Sequence, residues 1–167
     1  GGDRVTGLCL IGSAPNLEPD GLGDGLLALE DTMRQEEFDQ VKQALIRLFL
    51  NADNQRSMSM LAFVDTMAET VGVERGLQQL AALRGGGDLR DGLRQITCPA
   101  LIMCGIEDKL MPPALSREVT SNIRRSKLVT IEGAAHLLPL ERPETVSEMM
   151  RSWLTGDLNL DREEMRL

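Results

Sequence analysis

Histidine, aromatic residues, basic charge and long hydrophobic runs are all scarce in this chain of 167 residues. It has one histidine, His136, one tryptophan, three phenylalanines and no tyrosine. The core must therefore be built from Leu, Ile, Val, Ala and Met, and one histidine among scattered carboxylates makes no zinc site. No stretch approaches the ~20 apolar residues of a membrane span. The opening GGDRVTG is polar and has no apolar signal-peptide region. Lys and Arg number 18 against 26 Asp and Glu, a net charge of −8. That balance lacks the basic patches that nucleic acid or an anionic membrane surface requires. The three cysteines, Cys9, Cys98 and Cys104, are odd in number and form no C-x-x-C pair. They read as buried free thiols in a reducing, cytoplasmic compartment.

What is present is an alternation of two periods. RVTGLCLIG (4–12) is a short apolar run closed by glycine and reads as a buried parallel strand. SAPNLEPDGLGDG (13–25) reads as a loop. Residues 26–50, 57–70 and 73–84 carry apolar residues three and four apart, the mark of amphipathic helices, and RGGGD (84–88) stops them. CPALIMCG (98–105) reads as a second strand, with Pro99 tolerated near its start. IEDKLMPP (106–113) is a loop, and Pro112 and Pro113 open a helix with Leu115, Val119 and Ile123 on one face. KLVTIEG (127–133) is the third strand. Pro143 opens a last helix with Val146, Met149, Met150, Trp153 and Leu154 on one face. The charged tail from Thr155 is expected to fray. Strands alternating with helices predict an α/β fold with a parallel sheet of about three strands and flanking helices.

Ligands of such sheets bind beyond the carboxyl ends of the strands. Asp108 lies just after the second strand and His136 just after the third, so both belong to that edge. A carboxylate beside an imidazole fixes its tautomer and stabilises the imidazolium that forms on proton uptake. The alternative for each residue alone is a plain one: a satisfied turn histidine and a loop-forming aspartate.

The segment LRQITCPALIMCGIEDKLMPPALSREVTSNIRRSKLVTIEGAAHLLPLERPETVSEMMRSWL (93–154) resembles the last third of an α/β-hydrolase-fold enzyme. Gly105, Asp108, Pro112, Pro113, Gly133, His136, Glu141, Pro143 and Glu144 match the family's pattern in order and spacing. Ala135 departs from it, since glycine commonly precedes the histidine, but alanine is also small. DRVTGLCLIGSAPN (3–16) resembles the strand that follows the nucleophile-elbow helix. GLQQLAALRGGGDLRDGL (76–93) resembles the end of a helical cap. The nearest group is that of small esterases, lactonases and carbon–carbon hydrolases. The resemblance implies Asp108 as triad acid and His136 as triad base. It also implies core segments 1–16 and 93–156, a helical cap over 17–92, a charged tail over 157–167, a small ester-like substrate and no cofactor.

The family's nucleophile sits in G-x-S-x-G on a strained strand-to-helix turn. No serine of this chain has glycines two before and two after. Ser13, in GSAP, follows a strand, but the family layout places it after the wrong one. Cys9 lies within a strand and Cys104 just before Gly105, so neither has elbow geometry. The chain thus resembles the C-terminal half of a serine hydrolase, with the sheet edge at 4–12 expected to meet a missing half or a second copy. The rival expectation is a truncated, non-catalytic module that binds a protein partner. The Met-bearing run 58–67 reads either as helix packing or as pocket lining.

Overall fold

The computed structural model describes residues 4–16, 22–35, 38–160 and 164–167. Among these residues four strands form one parallel sheet in the order β1 (Leu8–Ile11), β2 (Ala100–Gly105), β3 (Ser126–Ile131) and β4 (Met165–Arg166). Every residue of β2 and β3 is buried, as a parallel strand covered on both faces requires. Alternation of side chains then builds two cores. Leu101, Met103, Val129 and Ile131 face α7 (Pro143–Thr155) through Val146, with Trp153 packed beside them. Ala100, Ile102, Cys104 and Leu128 face α5 (Pro113–Asn122) through Val119 and Ile123. Proline opens both helices, where its fixed φ suits the first turn and no donor is lost. Gly156, at φ 82°, ends α7 in the left-handed conformation.

Between β1 and β2 lie α1 (Leu22–Arg34), α2 (Phe38–Phe49), α3 (Met58–Arg84) and the short α4 (Arg90–Arg94). The first three bury a third core of their own, centred on Val41, Leu50 and Val64. α1 begins inside the stretch that reads as loop in the sequence. The two helical patterns 57–70 and 73–84 run on as α3, broken at Gly72, whose φ of 70° and ψ of 169° are open essentially to glycine alone. Among the described residues no helix is long and apolar enough to cross a membrane.

The parallel sheet is as expected from the sequence, with one short strand more than the three read there, and the tail expected to fray instead ends in that strand, β4, beside β3. The tail's charges are not merely solvated. Arg117 grips both carboxylate oxygens of Glu164 at 2.8 and 3.1 Å, and Thr130 donates to the same carboxylate at 3.0 Å. The Leu167 N–H then donates to the Thr130 carbonyl at 2.9 Å. A two-residue strand held by polar ties has no hydrophobic period to betray it. At the opposite edge, all four residues of β1 are only half-buried, and among the described residues β1 pairs with β2 alone.

Candidate active site

Asp108 sits in the loop that leaves β2 and is 3% exposed. Its Oδ1 accepts the N–H groups of Leu110 at 2.9 Å and Met111 at 2.7 Å, an Asx-type turn that leads into Pro112. Its Oδ2 is thereby aimed away from the loop and lies 2.9 Å from His136 Nδ1. A carboxylate only accepts, so the ring donates Nδ1–H to it. No hydrogen bond occupies Nε2 among the described residues, and the His136 side chain is 22% exposed. An imidazole with one nitrogen held by a carboxylate and the other open can take up and release a proton.

Small residues make the histidine turn possible. β3 ends at Ile131, and Gly133 turns the chain at φ 62°. Ala134 and Ala135 are fully buried, so the turn lies flat on the end of β2. A Cβ on Gly105 would overlap the backbone of both alanines. The Glu107 N–H donates to the Ala134 carbonyl at 3.0 Å, which ties the aspartate loop to the histidine loop. Gly12, at the end of β1, has φ 56°, and a Cβ there would stand 3.3 Å from the His136 ring and 3.5 Å from Asp108 Oδ2. Three strand ends therefore converge on the pair.

The helical layer supplies the rest of the surroundings. The Phe49 ring, at the end of α2, lies 5.5 Å from the His136 ring at 33° to it, and the Phe49 carbonyl accepts the Leu137 N–H at 3.1 Å. Between α1, α2 and α3 is a cavity of about 290 Å³ that opens onto His136. Its walls include Leu29, Met33, Val41, Phe49, Leu80 and Leu110. Among the described residues no charged side chain lines it, and Gln79 is the one polar side chain there besides His136. Of the Met-bearing run 58–67 only Met67 lines this cavity; Val64 is core and Met58 is exposed.

Sequence reasoning singles out Asp108 and His136, and the structure brings them into contact. Among the described residues no hydrogen bond joins Ser13 to them: its hydroxyl donates to the Ile11 carbonyl at 3.3 Å. Burial pushes the thiols of Cys9 and Cys104 above the ordinary cysteine range, away from the reactive thiolate. Among the described residues no cluster of three or more His, Cys, Asp or Glu side chains could hold a metal. Gly12, Phe49, Asn51 and the buried carboxylate of Glu141 are the neighbours that sequence reasoning missed as site residues. Phe49 and Asn51 lie more than eighty residues from the histidine, where no spacing rule reaches.

The family model described as the alpha/beta hydrolase family matches residues 3–149. A pimeloyl-[acyl-carrier protein] methyl ester esterase of Neisseria meningitidis is 26% identical over 162 residues, which cover 93% of this chain and 62% of the relative. An (E)-2-((N-methylformamido)methylene)succinate hydrolase of Acinetobacter baylyi is 31% identical over 70 residues, 41% of this chain and 27% of that one. The crystal structure of the enol-lactonase from Burkholderia xenovorans LB400 superposes with a TM-score of 0.79 at 23% identity, over 92% of this chain and 57% of the lactonase. The chain thus spans less than two thirds of the length of the Neisseria esterase. With a matched family model over most of its length and the fold that goes with it, this chain belongs to the alpha/beta hydrolase family.

Proposed function

We propose that this chain carries the acid–base half of a serine hydrolase that cleaves esters with an uncharged aliphatic portion. The observation that carries the reading is the Asp108–His136 contact of 2.9 Å at the mouth of an apolar cavity. In the assembled enzyme a serine hydroxyl attacks the ester carbonyl carbon while His136 Nε2 takes its proton. The tetrahedral intermediate collapses, the carbon–oxygen bond to the alcohol breaks, and His136 returns the proton to the leaving alkoxide. Water then repeats the sequence on the acyl-enzyme. Asp108 holds the ring in the tautomer that leaves Nε2 basic. The helices of residues 17–92 act as a cap whose cavity takes the aliphatic portion.

The attacking serine reaches His136 from outside this chain, across the outer edge of β1, where Gly12 brings the backbone against the pair. The chain contains no G-x-S-x-G, so a partner or a further segment supplies the elbow and its oxyanion donors. The relatives named for ester and lactone substrates favour the same chemistry. The half-buried β1 edge also fits a second reading, a module that binds a protein partner there without catalysis.

Hydrolysis of a short-chain aryl ester by the purified chain, beside His136→Ala, tests this division of labour. The expected result is equal background rates for both. Hydrolysis by the chain that His136→Ala abolishes would contradict it, because the nucleophile would then lie within these residues, with Ser13 first to be replaced.

A further inference from the structure

We infer that Glu141 is a positioning residue that locks His136 to the helical layer. The residue is 5% exposed, and no lysine or arginine among the described residues pairs with its carboxylate. It is satisfied instead by three N–H donors from two parts of the fold. Oε2 accepts the N–H of Ala135, the residue before the histidine, at 2.6 Å. Oε1 accepts the N–H of Asn51 at 2.7 Å and the side-chain amide of Asn54 at 3.1 Å. Asn51 completes the clasp: its Oδ1 accepts the Asn54 N–H at 2.8 Å, and its amide donates to the Gly133 carbonyl.

The geometry makes this more than a stable corner. A buried carboxylate is costly unless every donor around it is well placed, so it tolerates few arrangements of those donors. Here the donors are the backbone on which His136 is mounted and the connector that follows Phe49, whose ring faces the imidazole. One side chain thus fixes the histidine turn and the wall of the cavity relative to each other. Asp108 sets the orientation of the ring about Nδ1; Glu141 sets where the ring stands. Displacement of the α2–α3 connector would therefore shift the turn that carries His136, the base. The inference rests on the reading of His136 as that base.

The chain has a single histidine, so the Nδ1–H proton of His136 gives one unambiguous NMR signal. In the unaltered chain it is expected in slow exchange with water, protected by its bond to Asp108. Glu141→Gln keeps the shape but turns a donor toward one of the N–H groups. It is expected to speed exchange of that proton at least about tenfold while amide protection in β2 and β3 is unchanged. An exchange rate equal to that of the unaltered chain, with the sheet intact, would overturn the inference and leave the Asp108–His136 pair standing. Absence of a protected signal in the unaltered chain would instead sink the pair itself, and the inference with it. Should Glu141→Gln fail to fold, Asn54→Ala decides: it removes one donor and no backbone bond, so faster exchange supports the clasp and unchanged exchange refutes it.

Discussion

The loops at the ends of β2 and β3 and the helical layer above them are built on opposite principles. In the loops, position is set by directional bonds: Asp108 is held by Leu110 and Met111, Ala134 by Glu107, and Ala135 by Glu141. In the layer, position is set by aliphatic packing around Val41, Leu50 and Val64, with a break at Gly72 and a cavity left open. Hydrogen bonds fall off steeply with angle and distance, so they suit a pair of groups that must meet at one geometry. Apolar packing constrains volume more than direction, so it suits a pocket whose shape can vary while the chemistry stays fixed. The loops stand on two strands buried on both faces; the layer carries its own core.

The largest expected effect comes from breaking the loop side. Asp108→Asn lets the ring adopt the wrong tautomer, and turnover by the assembled hydrolase is expected to fall about 10⁴-fold. Steady-state kinetics measure it, and a loss below tenfold would mean that Asp108 does not orient the base. Next come paired core truncations. Leu101→Ala, deep in the sheet, should cost about 4 kcal/mol in urea unfolding, whereas Leu80→Ala, already beside the cavity, should cost about 2 kcal/mol. Equal losses would show that the layer is packed as tightly as the sheet.

A smaller effect tests the layer's role in recognition. Ala68 is buried and lines the cavity, so Ala68→Leu fills space there. Binding of methyl octanoate, followed by the His136 ring signals, should weaken about tenfold, with the Asp108 bond untouched. Unchanged binding would place the aliphatic chain elsewhere. The smallest effect lies at the outer edge of the sheet, beside β3. Arg117 beside Glu164, with Thr130 adding a second bond, holds that carboxyl below the ordinary glutamate range. A depressed folded-state pKa stabilises at neutral pH, and the gain disappears as pH falls through that lowered pKa. The pair is largely exposed, so Arg117→Ala should cost under about 1 kcal/mol at pH 7 and nothing at pH 2, by urea unfolding at each pH.

The same contrast explains what could be read in the sequence. The strands and proline-opened helices announce themselves by period and by punctuation, and Asp108 and His136 follow from their places just past two strand ends. The Gly105, Gly133 and small-residue pattern is legible because each position leaves no room for a side chain or needs a left-handed turn. The clasp at Glu141 was visible only as a motif position, because its partners Asn51 and Asn54 lie in another element, and polar pairing leaves no periodic trace. β4 escaped for the same reason, two residues held by ion pairing rather than by an apolar run. The cavity was beyond reach, since helical period shows which face is apolar and not what space remains between three such faces.

If Asp108 holds His136 with its proton on Nδ1, Nε2 is left free to act as base. The ¹⁵N chemical shifts of the single imidazole in its neutral form read this directly. A protonated-type shift is expected for Nδ1 and an unprotonated-type shift for Nε2, with the difference collapsing in Asp108→Asn. A proton on Nε2, or two averaged nitrogens in the unaltered chain, would contradict it.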